Sequence, residues 1–347
     1  MTTSPTVSVI MAAYNGAPLI AETLDSLHAQ TMSDFEVVIV DDCSSDDTGA
    51  LVRAYGDPRL RLIRAESNGG PVAARNRAFV EARGRYVAGL DHDDLCRPDR
   101  FARQVAFLND HPDTVLVATG SLLLQDGKLL PSQRPRGVTP DLIDWMMLTR
   151  NPLVWSSVMF RAEAARQLDP FERPDRIYVE DYDLYHRLRA FGRFAELDEP
   201  LTYYRVHAGG LSKRFTDIML EQAGALLRES HALLLGQADD DAITRIIRHV
   251  MAREPVTEPG VLLALFADIQ RLRDAFVARN DLDATARRAV DEDVSQLWWR
   301  ISRAAVRSGS MPLHRAMATR PATVQYGAAK SGDLFVSEMI GRMRALR

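Results

Sequence analysis

Three acidic clusters and two cationic or polar stretches hold the residue types and spacings that could do chemistry. The first cluster, Asp41-Asp42, directly follows an apolar run. A carboxylate there can accept a hydrogen bond from a ring N–H of a nucleotide base. Taken alone, helix capping or loop solvation is the plainer reading. The second, Asp91-His92-Asp93-Asp94, sits behind the run YVAGL. Carboxylates this close repel one another unless a cation lies among them, and hard oxygen ligands favour magnesium or manganese. Such an ion would bridge diphosphate oxygens and offset charge on a leaving group. The alternative is a solvated acidic turn, and His92 reads as a side chain turned away from the ion. The third, Glu180-Asp181, opens the segment DYDLYHRLRAFG. An acidic pair suits a helix N-terminus there, and it could also act as general base toward an attacking hydroxyl.

Arg75 follows NGGPVAA and can pair with a diphosphate or with an acid. The run YRVHAGGLS (204–212) carries Arg205, His207 and Ser212 around Gly209-Gly210, a composition suited to a lid over a donor. A surface charge or a satisfied loop histidine is the plainer reading of each.

Such groups need elements to carry them. VSVIM (7–11), FEVVIV (35–40), LRLIR (60–64) and RYVAGL (85–90) read as strands. Between them lie helical patterns: one after Pro18 with Ile20, Leu24 and Leu27 aligned, another over 71–82, and a third after Pro98 with Phe101, Val105 and Leu108. This alternation implies an α/β fold with a mostly parallel sheet covered on both faces. Sites in such sheets lie beyond the carboxyl ends of the strands, where the first two acidic clusters fall. Strands are further expected at 115–124, 157–160 and 201–205, and a helix over 181–191 with Leu184, Leu188 and Phe191 on one stripe. From 216 onward the pattern is all-helical, as in Val261, Leu265, Ile269, Leu272 and Phe276. The expected domains are 1–215 and 216–347.

Composition is that of a globular protein: 347 residues, 46% hydrophobic and 26% charged. A formal net charge of −4 argues against nucleic acid as the main partner. Cys43 and Cys96 form no CxxC pair, which argues against a disulfide framework or zinc site. The N-terminus lacks the pattern of a signal peptide, and no apolar run approaches the ~18 residues of a membrane span. The default expectation is therefore cytoplasmic. In residues 309–347 six Lys/Arg face two acids, a surplus of 6 − 2 = 4. That surplus leaves peripheral contact with the inner face of a membrane open. The apolar helical stripes leave homo-oligomerisation open.

Taken in order, VSVIMAAYNG, VVIVDDCSSDDT, NGGPVAARN, YVAGLDHDDLCRPDRF, VEDYDLYHRL and YRVH resemble family 2 glycosyltransferases of the GT-A fold, over roughly residues 5–215. The resemblance implies inverting transfer of a sugar from a nucleotide-diphosphate donor, by default UDP-linked, to a hydroxyl on a glycan, lipid-linked or other acceptor. It implies a manganese or magnesium ion. Asp41 becomes the base-recognising acid, with Ala13, Tyr14, Asp42, Arg75, Asp91 and His92 around the nucleotide. Asp91, Asp93 and His207 become metal ligands, Asp181 the catalytic base, and Arg205, His207 and Ser212 diphosphate or lid contacts. Ala12 and Ala13 stand where some relatives have hydroxyl residues, so only backbone contacts remain there. No Q-x-x-R-W motif follows 181–191, which speaks against processive synthesis. Three alternatives compete. A sugar-nucleotide pyrophosphorylase needs a Gly-rich, Arg-containing loop where AAYNGAP stands. A dehydrogenase needs G-x-G-x-x-G after VSVIM. A non-catalytic nucleotide-sugar-binding scaffold would not need all three acidic clusters.

Overall fold

The computed structural model describes residues 4–132, 138–207, 215–322, 324 and 328–345. The chain divides into two compact units, Met1–Pro140 with Pro152–Met219, and Asp141–Asn151 with Leu220–Arg347. The sequence suggested one cut at 215; the segment Asp141–Asn151 instead groups with the later helices.

The first unit is built on a sheet of β1 (Val7–Ala13), β2 (Phe35–Asp41), β3 (Leu60–Arg64), β4 (Tyr86–Gly89), β5 (Leu95–Cys96), β6 (Thr114–Gln125), β7 (Lys128–Pro131), β8 (Met159–Arg161) and β9 (Arg193–Arg205). Its order is β3-β2-β1-β4-β8-β6-β9-β5, with β7 on β6. Pairing is parallel across β3-β2-β1-β4 and between β6 and β9. It is antiparallel where β8 joins β4 and β6 and where the short β5 and β7 attach. The fold is the expected α/β, mostly parallel mixed sheet.

Every residue of β2 is buried, which explains why VVIV shows no alternation: helices cover both faces. Two polar residues inside this core satisfy each other. Ser8 Oγ donates to Glu36 Oε1 at 2.7 Å, and Arg61 Nη1 donates to Glu36 Oε2 at 2.9 Å.

The helices of this unit are α1 (Ile20–His28), α2 (Thr48–Ala54), α3 (Gly70–Glu81), α4 (Arg100–Asp110), α6 (Ala162–Ala165) and α7 (Glu180–Leu188). Ile20, Leu24 and Leu27 of α1 are buried together, as are Phe101 and Leu108 of α4 with Val105 packed beside them. Leu184 and Leu188 follow the expected stripe on α7, but Phe191 does not and is exposed. The chain tightens into a 3₁₀ turn over Arg189–Phe191.

The second unit is helical: α5 (Pro140–Met146), which starts at its border, α8 (Thr216–Leu235), α9 (Asp240–Ile246), α10 (Pro259–Arg279), α11 (Ala284–Ser308), α12 (Leu313–Ala318) and α13 (Ala328–Ala345). Leu265, Ile269, Leu272 and Phe276 of α10 are buried, as the period requires. Trp298 and Trp299 of α11 are both buried and meet edge to face at 5.0 Å. Trp145 joins this core and donates from Nε1 to Asp293 Oδ2 at 2.9 Å. Among the described residues no helix is long and apolar enough to cross a membrane.

Candidate active site

The carboxyl ends of β1 and β2 carry two loops that are laced together. Asp42 N donates to Ala13 O at 2.8 Å, Asn15 N to Ser44 Oγ at 3.0 Å, and Gly16 N to Thr48 Oγ1 at 2.8 Å. Ala17 N reaches Asp46 Oδ2 at 3.1 Å. Both loops need left-handed backbone, at Asn15 (φ 49°) and Cys43 (φ 61°). Asn15 tolerates this backbone better than most residues do, and its Oδ1 accepts from Ser45 N of the other loop at 2.9 Å. Asp41 lies fully buried at the floor between them. Its Oδ1 accepts from Ser44 N at 2.9 Å, whereas Oδ2 has no hydrogen-bond partner and only the Arg64 guanidinium at 3.7 Å. A buried carboxylate oxygen without a donor is costly unless a ligand supplies one.

Asp42 has a different part. Its two oxygens accept from Gly69 N at 2.9 Å and Gly70 N at 2.8 Å, which covers the open N-terminus of α3. Gly70, at φ +81°, is the residue that a side chain would strain. Tyr14 stands half-exposed on the rim, and Ala13 offers only backbone.

After β4 the chain turns through Asp91, His92, Asp93 and Asp94. Ser156 Oγ accepts from Asp91 N at 3.0 Å and holds the turn's start. Ligand oxygens of Asp91, Asp93 and Asp94 all lie within 4.8 Å of one another, the spacing of a cation site. Asp94 is buried, and its Oδ2 has no hydrogen-bond partner. Burial, with Asp93 and Asp91 adding to it, pushes the Asp94 carboxyl well above the usual carboxylate range against bonds from Ser156 and the Arg205 amide. Three hard oxygen donors with one buried oxygen unsatisfied fit a divalent cation. His207 reaches this cluster through Asp93, with Nε2 2.8 Å from Oδ2, so Asp94 completes the trio of acids. The His92 ring points to the β1 loop instead, with Nδ1 3.2 Å from Ala12 O, and fills the space where a Cβ on Gly16 would fall.

Arg205 is engaged on three sides. Its N donates to Asp94 Oδ1 at 2.7 Å, its Nε to Asp93 O at 2.7 Å, and its Nη2 to Glu22 Oε2 at 2.8 Å. It braces the acidic turn from the end of β9. Ser212, with Gly209 and Gly210, lies outside the described residues.

Arg75, read from the sequence as a partner of a diphosphate or an acid, pairs here with acids. From α3, buried, it donates from Nη2 to Asp91 Oδ1 at 2.9 Å and from Nη1 to Glu180 Oε1 at 2.8 Å. Its guanidinium also lies 4.7 Å over the Trp155 ring and 3.7 Å from Glu172. Burial disfavours the charge, but Asp91, Glu172 and Glu180 outweigh it and hold Arg75 well above the ordinary arginine range. The third acidic cluster is thereby tied to the second. Asp181 sits next to Glu180 at the start of α7, partly exposed, with Oδ1 accepting from Tyr182 N at 2.7 Å.

Two acids of this site gave no signal in the sequence. Glu172 is fully buried beside Arg75, and neither carboxyl oxygen has a hydrogen-bond partner. Burial pushes it well above the carboxylate range, opposed by Arg75 and reinforced by Glu180, Asp181 and Asp91. Asp183 is buried and accepts from Arg173 and Arg187, whose Nη atoms also reach Pro170 O at 2.8 Å and Phe171 O at 2.5 Å. Both read as ordinary loop and helix acids until the fold closes round them.

The chain is similar to several known proteins. The family described as "Glycosyl transferase family 2" matches residues 8–168. The succinoglycan biosynthesis protein ExoO of Rhizobium meliloti is 40% identical over 159 residues, 46% of this chain and 44% of that protein, so the match spans less than half of that relative. The putative glycosyltransferase EpsE of Bacillus subtilis is 30% identical over 249 residues, 69% of this chain and 87% of that one. Two solved structures share the fold. S. aureus TarS 1-349 in complex with UDP-GlcNAc has a TM-score of 0.54 at 20% identity, covering 97% of this chain and 92% of that one. The mannosyltransferase PcManGT from Pyrobaculum calidifontis, in complex with GDP-Man and Mn2+, has a TM-score of 0.51 at 21% identity, covering 97% and 88%. With EpsE matched over most of its length and the motifs in place on this sheet, the chain belongs to glycosyl transferase family 2.

Proposed function

We propose that the protein transfers a sugar from a nucleotide-diphosphate sugar, UDP-linked by default, to an acceptor hydroxyl during polysaccharide or glycoconjugate synthesis, with inversion. The observation that carries the reading is the Arg75 bridge. It joins the Asp91 cluster to Glu180, so an acidic cation site and a candidate base stand on one rigid frame. Family membership and the polysaccharide-synthesis names of ExoO and its like support the reaction class.

In this reading Asp41 Oδ2 accepts the ring N–H of the base, a role that fits its unsatisfied, buried state. Uracil and guanine both present such a donor. Tyr14 and the Ala13 backbone border the nucleotide. Asp42 shapes the pocket by capping α3. Asp91, Asp93 and Asp94 would hold a manganese or magnesium ion, with His207 against Asp93. When bound, such an ion offsets negative charge on the leaving diphosphate. Asp181 takes the proton from the attacking hydroxyl, and a single attack on the opposite face inverts the anomeric centre.

The test pairs binding with turnover. Uridine and guanosine diphosphates with manganese should raise the thermal midpoint, and excess chelator should cancel the rise. Asp181→Asn should keep that nucleotide response and lower transfer by ~10²–10⁴-fold. Turnover within a few-fold of wild type would remove Asp181 from the role and turn attention to Glu180.

A further inference from the structure

We infer that Tyr178 and Phe215 form an aromatic platform that binds a pyranose ring of the acceptor beside Asp181. The inference rests on Asp181 being the base proposed above. Three observations carry it. Tyr178 lies three residues before Asp181 in a left-handed conformation, φ 67°. Bulky side chains rarely adopt that backbone, and such residues gather at ligand sites. The chain holds it there with a turn, Val179 N donating to Arg176 O at 3.1 Å, directly before α7 begins. Second, the Tyr178 ring stacks on Phe215, with centroids 4.4 Å apart and planes within 8°. Each ring covers one face of the other, so the stack offers an outer ring face backed and held flat by the second ring. Third, both residues are only half-buried, unlike Tyr182 and Tyr185 of the same region, which are fully covered. Aromatic groups that serve only packing gain most by complete burial.

A pyranose is the ligand this surface suits. One face of the ring carries axial C–H groups and is apolar, while its rim carries hydroxyls. An apolar face laid on the outer ring leaves the rim free to meet a carboxylate, and Asp181 lies three residues along the chain, just past Glu180, which Arg75 engages. A linear polyol has hydroxyls but no such face.

The experiment uses the full chain with manganese and UDP, observed by saturation-transfer NMR. The probes are methyl β-D-glucopyranoside, methyl β-D-galactopyranoside and methyl α-D-mannopyranoside, with sorbitol as the ringless control. Wild type should saturate the axial ring protons of at least one pyranoside and leave sorbitol unsaturated. Tyr178→Asn keeps a residue that tolerates left-handed backbone and removes the ring; Phe215→Leu keeps apolar volume and removes flatness. Each should weaken that pyranoside about tenfold, while the thermal shift by UDP and manganese stays at the wild-type value. Equal pyranoside binding in wild type and both variants overturns the platform, as does saturation of sorbitol equal to the pyranosides. No pyranoside saturation in wild type, with the nucleotide shift present, also overturns it. Absence of a shift in wild type with UDP and with GDP alike counts against the glycosyltransfer reading instead.

Discussion

Glu172 sets a charge balance that the other residues of the site depend on. One guanidinium, Arg75, faces Asp91, Glu180 and Glu172, and Asp181 lies near. Three ionised acids would leave a buried excess of negative charge, and burial shifts Glu172 toward its protonated form. A carboxyl whose folded pKa is raised binds its proton more tightly when folded. Its contribution to stability is complete below the unfolded value of ~4.3 and is lost as pH rises through the folded value. Glu172→Gln keeps the shape and cannot ionise. Relative to wild type its stability should rise between pH 5 and pH 8, measured by urea unfolding in chelator. Parallel pH curves for the two proteins would show that Glu172 carries no raised pKa. Asp41 is the contrasting residue: its position at a strand end marked it, with capping or loop solvation as the plainer reading, and only the fold shows one oxygen bonded and the other without a hydrogen-bond partner.

At the scale of elements, the start of α7 depends on a clamp. Asp183 accepts from Arg173 and Arg187, and Arg187 also grips the carbonyls of Pro170 and Phe171. This fixes the 170–173 segment against the helix and brings Glu172 and Glu180 to the same guanidinium. Removing one partner of a buried ion pair costs ~3–5 kcal/mol, and the partial solvent access of both arginines moves the expectation for Asp183→Ala to ~2–3 kcal/mol. Urea unfolding measures the loss; a change under 0.5 kcal/mol, of the size seen at plain surface sites, would show the clamp to be slack. The first four strands were legible because each is a local event, an apolar run in the sequence, and two of them stop at carboxylates, Asp41 and Asp91. The segment 193–200, RFAELDEP, was not: its charges and Pro200 hide a strand, which forms because β6 supplies a parallel partner with register shifts near Gly120. The two-residue β5 and the exposed β7 likewise exist through their partners. The Arg75–Glu180 bond joins residues 105 apart, a separation at which periodicity is silent.

At the scale of the molecule, the first unit is interrupted. Trp145, Met146 and Met147 are buried in the helical unit, with Trp145 near Phe276 and bonded to Asp293. A chain ending at 219 therefore loses the partners of an apolar segment in its own middle. It should aggregate on size exclusion, and Trp145→Ser with Met146→Ser should return much of it to the soluble fraction. A monodisperse truncated chain without those substitutions would mean that 141–151 finds cover elsewhere.

The same interruption has a consequence in time. Trp145 and Asp293 are 148 residues apart, so at ~5–20 residues per second the ribosome delivers the second roughly 7–30 s after the first. For that interval a tryptophan and its apolar neighbours have emerged while the helices that receive them have not. Synthesis rate and chaperone supply, rather than equilibrium stability, should then govern the yield of this chain in cells.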